Sequence, residues 1–293
     1  MPISLTAKQN DEVDLSEWAI DVINRDQVVT ILAYLYLRQE QNALRVINAM
    51  PKRVRKRTKD VGPNVIEKLT APKKADLDLA QRGNEEERKS ASNRVKNSIW
   101  HRDGLLFQHL SWIVAQKKHP NGYMTPPHVR NADKGFDGFI IEFNHDQKSV
   151  ERVILCEDKA TEGPRGMVTS KVWPEIKDII AQRREDEVEA DLTTLLKAVP
   201  NLTPEEAEDA VDAIFWERAR QFRVSIATDE KFRESGAFDH LFNGFEVVAP
   251  GPTNGRIGGI LPFESVRQGL HDLAEEVIRK VELLVAESES PYV

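Results

Sequence analysis

Two carboxylates and an ammonium group occupy positions where chemistry can be done. In the stretch VILCEDK (residues 153–159), side chains alternate across an extended strand. Val153, Leu155, Glu157 and Lys159 then share one face, and Ile154, Cys156 and Asp158 the other. A hydrophobic stripe therefore ends in Glu157 and Lys159, side by side. Core packing alone does not favour this, because burying charge is costly unless it is paired or metal-bound. Earlier in the chain, GFDG places Asp137 on the face of Phe139, Ile141 and Phe143. Gly135 and Gly138 flank it and remove bulk where a backbone or ligand must come close. Sequential strands are usually neighbours, so Asp137 and Glu157 are expected to converge on one hard cation. Oxygen ligands of this kind suit Mg²⁺ or Mn²⁺. The plain structural alternative is an ion pair, Glu157 with Lys159 or a nearby arginine, capping an exposed strand end.

The elements that must position these groups are read from periodicity. Residues 136–143, 152–160, 222–228 and 245–249 are rich in Val, Ile and Phe between turn residues and read as strands. Asp103 is placed to cap a helix over 104–115 that is apolar nearly all round, with Gln108, Ser111 and Ala115 on its one small, polar face. Further helices are expected over 176–196, from the capping box Thr203–Glu206 onward, and over 264–287. The first fifty residues read as helices, with Asp14 and Ser16 as caps before Trp18. Residues 51–94 read as a loop-rich connector or short helical arm. The expected fold is α/β (α+β), with a central mixed sheet of four to five strands flanked by helices. A helical amino-terminal region (1–100) precedes a core at 101–293.

The bulk properties narrow the class. With 293 residues, 40% hydrophobic and 30% charged, the chain is long enough to bury a real core. No apolar run reaches the length of a membrane span, and the polar amino terminus lacks a signal-peptide pattern, so a cytoplasmic protein is expected. The single cysteine, Cys156, excludes an internal disulfide and reads as a small core residue. The net charge of −7 argues against indiscriminate coating of nucleic acid. It is unevenly spread: residues 51–100 hold fourteen basic against seven acidic residues, densest at Lys52, Arg53, Arg55, Lys56, Arg57 and Lys59. That segment reads either as a polyanion-facing arm or as a solvated linker. The histidines form no H-E-x-x-H pair, and His109 reads as a core residue. The glycine-rich GRIGG (255–259) lacks the setting of a phosphate-binding loop and reads as a turn facing the groove, where Arg256 would reach phosphate.

Asp137, followed by Glu157-Asp158-Lys159 at the end of a hydrophobic strand, resembles the PD-(D/E)XK nuclease superfamily of restriction and repair endonucleases. The GFDG opening, the EDK tripeptide and a preceding helix bearing Gln108 carry the resemblance, which covers roughly residues 103–228 and extends toward 249. It implies a restriction-endonuclease-like core and divalent-metal-dependent hydrolysis of DNA phosphodiester bonds. Asp137 and Glu157 would hold Mg²⁺ or Mn²⁺ with the backbone carbonyl of Asp158, and Gln108 would stand where the family often carries an acidic or amide side chain. Lys159 would orient or deprotonate the attacking water, or stabilise charge on the phosphate. Lys52, Arg53, Arg55, Lys56 and Arg57 would track phosphates, and Lys171, near Trp173, would line the groove. Chains of this kind are often bacterial restriction or anti-phage defence effectors. No ATP-binding or base-reading module is visible, which points to a partner subunit such as a helicase or sensor; homo-oligomers are compatible with the sequence. The rival expectation is a non-catalytic nucleic-acid-binding or scaffold protein of a multi-subunit complex.

Overall fold

The computed structural model describes residues 2–55, 57–124, 126–127, 136–144, 149–197, 199, 202–216, 220–234 and 236–289. Lys56, Gly135, His128 and His145 lie outside these.

In chain order the elements are β1 (Ile3–Lys8), β2 (Asp14–Ile20), α1 (Arg25–Tyr36), α2 (Glu40–Ile47), α3 (Thr58–Leu69), α4 (Lys74–Arg82), α5 (Glu85–Lys118), β3 (Tyr123–Met124), β4 (Gly138–Phe143) and β5 (Val150–Ala160). There follow α6 (Pro164–Met167), α7 (Trp173–Ile180), α8 (Glu185–Lys197), α9 (Pro204–Trp216), β6 (Arg220–Asp229), α10 (Lys231–Glu234), α11 (Phe245–Val248), β7 (Arg256–Phe263) and α12 (Val266–Glu289). A π-helical turn, Val168–Val172, joins α6 to α7.

The protein is mixed α/β, with a sheet of order β1-β2-β7-β6-β5-β4-β3 among the described residues. Strands β2, β7, β6 and β5 run parallel, while β1, β4 and β3 pair antiparallel with their neighbours. Helices cover both faces. Ile154, Cys156, Ile140 and Trp18 face α1, α5 and α12, whereas Val153, Leu155, Phe139 and Leu15 face α7, α8 and α9. A strand buried on both sides shows no clean apolar–polar alternation, and β5 reads accordingly as a continuous apolar run.

Seven strands replace the expected four to five. Residues 3–20 form β1 and β2 rather than helices, and Ser16 accepts a hydrogen bond from Trp18 Nε1 (3.0 Å) instead of capping. The run is too short and too β-branched to make a helix, and its pairing with β7 decides the matter. Residues 245–248 are one helical turn, not a strand, opened by Gly244 at φ 85°; a short apolar run cannot be told apart by periodicity alone. The glycine-rich segment is instead β7. A Cβ at Gly259 would fall inside the Trp18 indole, so these glycines serve the close approach of an aromatic ring. Arg256 is correspondingly buried and donates to the carbonyls of Glu12, Ala249 and Gly251; it borders a hollow, but its donors are taken by the backbone rather than held out for phosphate.

The helix over 104–115 belongs to the 34-residue α5, opened by an Asn84–Glu87 capping box. It runs unbroken across positions 100 and 101. Asp103 is thus interior to a helix and fully buried rather than a cap. The expected helix over 176–196 is split by Gln182 at φ 57°. The Thr203–Glu206 capping box is formed. No helix among the described residues is long and apolar enough to cross a membrane.

Candidate active site

The first turn of β4 and the last turn of β5 meet because the pair is antiparallel, with Gly138 opposite Cys156. Asp137, one residue before β4, donates its backbone N–H to Cys156 O (3.1 Å), which swings its carboxylate over the end of β5. There Asp137 Oδ2 accepts from the Asp158 backbone N–H (2.7 Å) and from Lys159 Nζ (3.1 Å). Lys159 Nζ also donates to Glu157 Oε2 (2.6 Å). From α5, Gln108 Nε2 donates to Asp137 Oδ1. The four side chains therefore form one connected group.

Two oxygens of this group are buried with no hydrogen-bond partner: Glu157 Oε1 and Gln108 Oε1. Leaving a buried acceptor unmade costs about 1–3 kcal/mol, so a native structure that carries two in one place needs a reason. They are hard oxygen donors beside two carboxylates, which is the donor chemistry a divalent cation of the Mg²⁺ or Mn²⁺ kind requires. The residues present fit such an ion. Among the described residues, no three His, Cys, Asp or Glu side chains cluster closely enough to hold a metal unaided. Amide and main-chain oxygens would have to complete the set.

Burial pushes the Glu157 carboxyl well above the ordinary glutamate range, and the neighbouring Asp137 charge pushes it further. For Lys159, burial pulls the other way, but the Asp137 and Glu157 carboxylates outweigh it and hold the ammonium above its usual range. Lys159 is thus a firm cation, shared between two carboxylates.

No family model matches this sequence. No curated protein matches it either. The chemistry of the site rests on its own geometry and on the short motif that it contains.

Asp158 divides its roles. Its backbone holds Asp137, but its side chain points to the opposite face and accepts from Ser111 Oγ of α5 (2.6 Å). Arg223 of β6 donates to the same Ser111 Oγ (2.6 Å) and lies 3.7 Å from Asp158 Oδ2. This polar bridge ties α5, β5 and β6 together directly behind the candidate site. Burial raises the Asp158 carboxyl, while Arg223 works against the shift. The sequence reading had Ser111 on the right helix face; Arg223 was missed, although a lone arginine inside the apolar strand RVSIAT is its signal.

The other predicted residues lie apart from this group. Lys171 is exposed on the π-turn and does not line the cleft over Lys159. Lys52, Arg53, Arg55 and Arg57 are exposed. Arg53 and Arg55 join Arg38 and Arg45 around a hollow of about 340 Å³. Arg38 and Arg45 donate to the backbone carbonyls of Pro127 and Pro51, and no carboxylate among the described residues forms an ion pair with any of the four. Glu40 lines the same hollow and offsets part of this charge, chiefly that of Arg38. The hollow sits at the end of α1, where Tyr36 stacks on His109 (4.2 Å between ring centres), the residue next to Gln108. Cys156 is buried and its thiol is pushed up to about 12 by desolvation, which suits a core residue.

Proposed function

We propose that this protein is a divalent-metal-dependent nuclease that hydrolyses DNA phosphodiester bonds through a PD-(D/E)XK-like site on a restriction-endonuclease-like core. The observation that carries the reading is the convergence of Asp137, Glu157, Lys159 and Gln108 at the end of β5, with two buried oxygens left without partners. Asp137 and Glu157 would hold Mg²⁺ or Mn²⁺, with Gln108 Oε1 and the Asp158 carbonyl as further oxygen donors. Such an ion supplies a bound water of lowered pKa and neutralises charge on the phosphate. Lys159 then stands as a fixed cation beside the position where phosphate charge develops. Asp158 and Arg223 hold the strand ends in register from behind. The clustered arginines at 38, 45, 53 and 55, with Lys52, Lys56 and Arg57, would track the DNA backbone, while Lys171 would contact it at the periphery.

A restriction or anti-phage role, and dependence on a helicase-like or sensor partner, follow from the resemblance and belong to the same proposal. A second reading has one observation in its favour. Lys159 already bridges both carboxylates, as a purely structural ion triad would, and the groove would then bind nucleic acid without cutting it.

Cleavage of linear, circular and single-stranded DNA with Mg²⁺ or Mn²⁺ separates the two. The nuclease reading requires cutting by the wild type and none by Glu157→Ala or Lys159→Ala. Absence of cutting together with absence of calorimetric Mn²⁺ binding leaves the structural triad.

A further inference from the structure

A cleft of about 500 Å³ opens directly over Lys159, and its walls are unlike those of a duplex-binding groove. Trp100, Gly104 and Gln108 line it from α5 at four-residue intervals, one face of a single helix. Trp100 is 53% exposed at its mouth. Gly104, one turn further in, has nothing within 4 Å of where a Cβ would stand, so the space beneath the indole is open. Ala160, Gly163 and Met167 complete a largely apolar wall.

At the inner rim lies Arg267 of α12. Its guanidinium donates to Asp103 Oδ2 (2.7 Å) and Ala160 O (3.4 Å), and its Nε contacts Glu162 (3.3 Å). Asp103 is fully buried and also receives Arg102 (2.8 and 3.0 Å), so one buried carboxylate is shared by two guanidiniums and the second is balanced by the exposed Glu162. Glu162 is 61% exposed and can be displaced, whereas Asp103 cannot. Arg267 is thereby a pre-positioned anion donor in the cleft that holds Lys159.

We propose that this cleft receives an unpaired nucleotide of the substrate strand, its base against Trp100 and its phosphate on Arg267. Aromatic stacking beside a fixed arginine is how single strands are held without regard to sequence, and a base stacked inside a duplex has no free face to lay against the indole. The substrate class is then nucleic acid with an unpaired segment next to the scissile phosphate: a single strand, a flap or a frayed end. Identification of the occupant as substrate rests on the nuclease reading; binding of the nucleotide does not.

The test is fluorescence anisotropy in EDTA, with a labelled oligo-dT and a blunt duplex of equal length. The single strand binds about tenfold tighter than the duplex, and Trp100→Ala loses about that factor. Arg267→Ala weakens the single strand and lowers the salt slope by about 0.7. Gly104→Leu fills the cleft in a helix that tolerates it, so it abolishes the preference while the melting temperature holds or rises. Glu162→Gln tightens binding by removing the competing carboxylate. Equal binding of strand and duplex, or wild-type binding by both Trp100→Ala and Gly104→Leu, overturns the inference. Preferential binding without metal-dependent cutting by the wild type sinks the nuclease reading and leaves the cleft standing. Cutting with unaltered binding by these variants does the reverse.

Discussion

One hollow lies at the start of β6 and β7 and another at the close of β5, and the two differ in how their polar groups are used. At the start of the strands, about 440 Å³ is enclosed by Arg220, Phe222, Pro250 and Arg256; at their close, about 500 Å³ by Lys159, Arg267 and Trp100. Their sizes are similar, but the first is lined by two arginines and no carboxylate, and the second by Lys159 and Arg267 together with Asp158 and Glu162. At the first end Arg256 is 5% exposed and donates to three backbone carbonyls at 2.6–3.1 Å. Its donors are spent on the fold. At the second end Glu157 Oε1 and Gln108 Oε1 are buried without partners, and Lys159 is held between two carboxylates. A cavity by itself says little; the end where polar groups go unsatisfied is the one equipped for a ligand.

The largest effect that tests this contrast is catalytic. Lys159→Ala lowers metal-dependent cleavage by roughly 10²–10⁴-fold, while Arg256→Ala leaves the rate per folded molecule intact in the same assay well below the melting point. Comparable losses in both would erase the distinction. Next in size is stability: Arg256→Ala orphans three carbonyls and costs about 3 kcal/mol in urea unfolding. A cost below about 1 kcal/mol would mean that this arginine is not structural.

Glu157→Gln sharpens the contrast from the other side. Burial raises the Glu157 carboxyl, so the stability that its protonated form contributes is lost as pH rises through that raised value, and ionising the buried group is a burden on the fold. The amide removes that burden and can still accept from Lys159. Melting of the metal-free variant at pH 7.5 should therefore rise by the equivalent of about 1 kcal/mol, and the Mn²⁺-induced stabilisation expected of the wild type should be lost. A lower melting temperature would make Glu157 a structural partner of Lys159.

The smallest effect lies at the far edge of the same sheet. His119 Nδ1 contacts Glu142 Oε1 (2.8 Å), yet burial outweighs that carboxylate and, with Arg223 and Arg152 nearby, holds the imidazole below its usual 6.5. A lowered base contributes stability above its unfolded value, lost as pH falls below about 6.5 and on through the folded value. His119→Gln should flatten the urea midpoint between pH 5 and 7; an unchanged slope would move the acid sensitivity elsewhere.

Much of the candidate site was legible because strand alternation is a strict rule. Placing Glu157 and Lys159 on one face and Asp158 on the other needs only a period of two, and the structure has it so. Gln108 and Ser111 followed from one turn of helix. Strands β1, β2 and β7 were not legible for the opposite reason. Their pairing is non-local, Asp14 with Ile257, and glycines in β7 resemble a loop until Trp18 is seen against them.

The sequence by itself determined the α/β class, the neighbouring of β4 and β5, and the facing of the acidic pair and lysine, since local periodicity and side-chain chemistry suffice for these. Only the tertiary structure decided which arginine is spent on main-chain carbonyls and which is held by carboxylates beside the cleft. Arg256, read as a phosphate contact, is consumed by three carbonyls. Arg267, unremarked in an amphipathic helix, is anchored by Asp103 across 164 residues of chain and stands in the cleft. Charge is written in the sequence, but its compensation depends on partners distant along the chain.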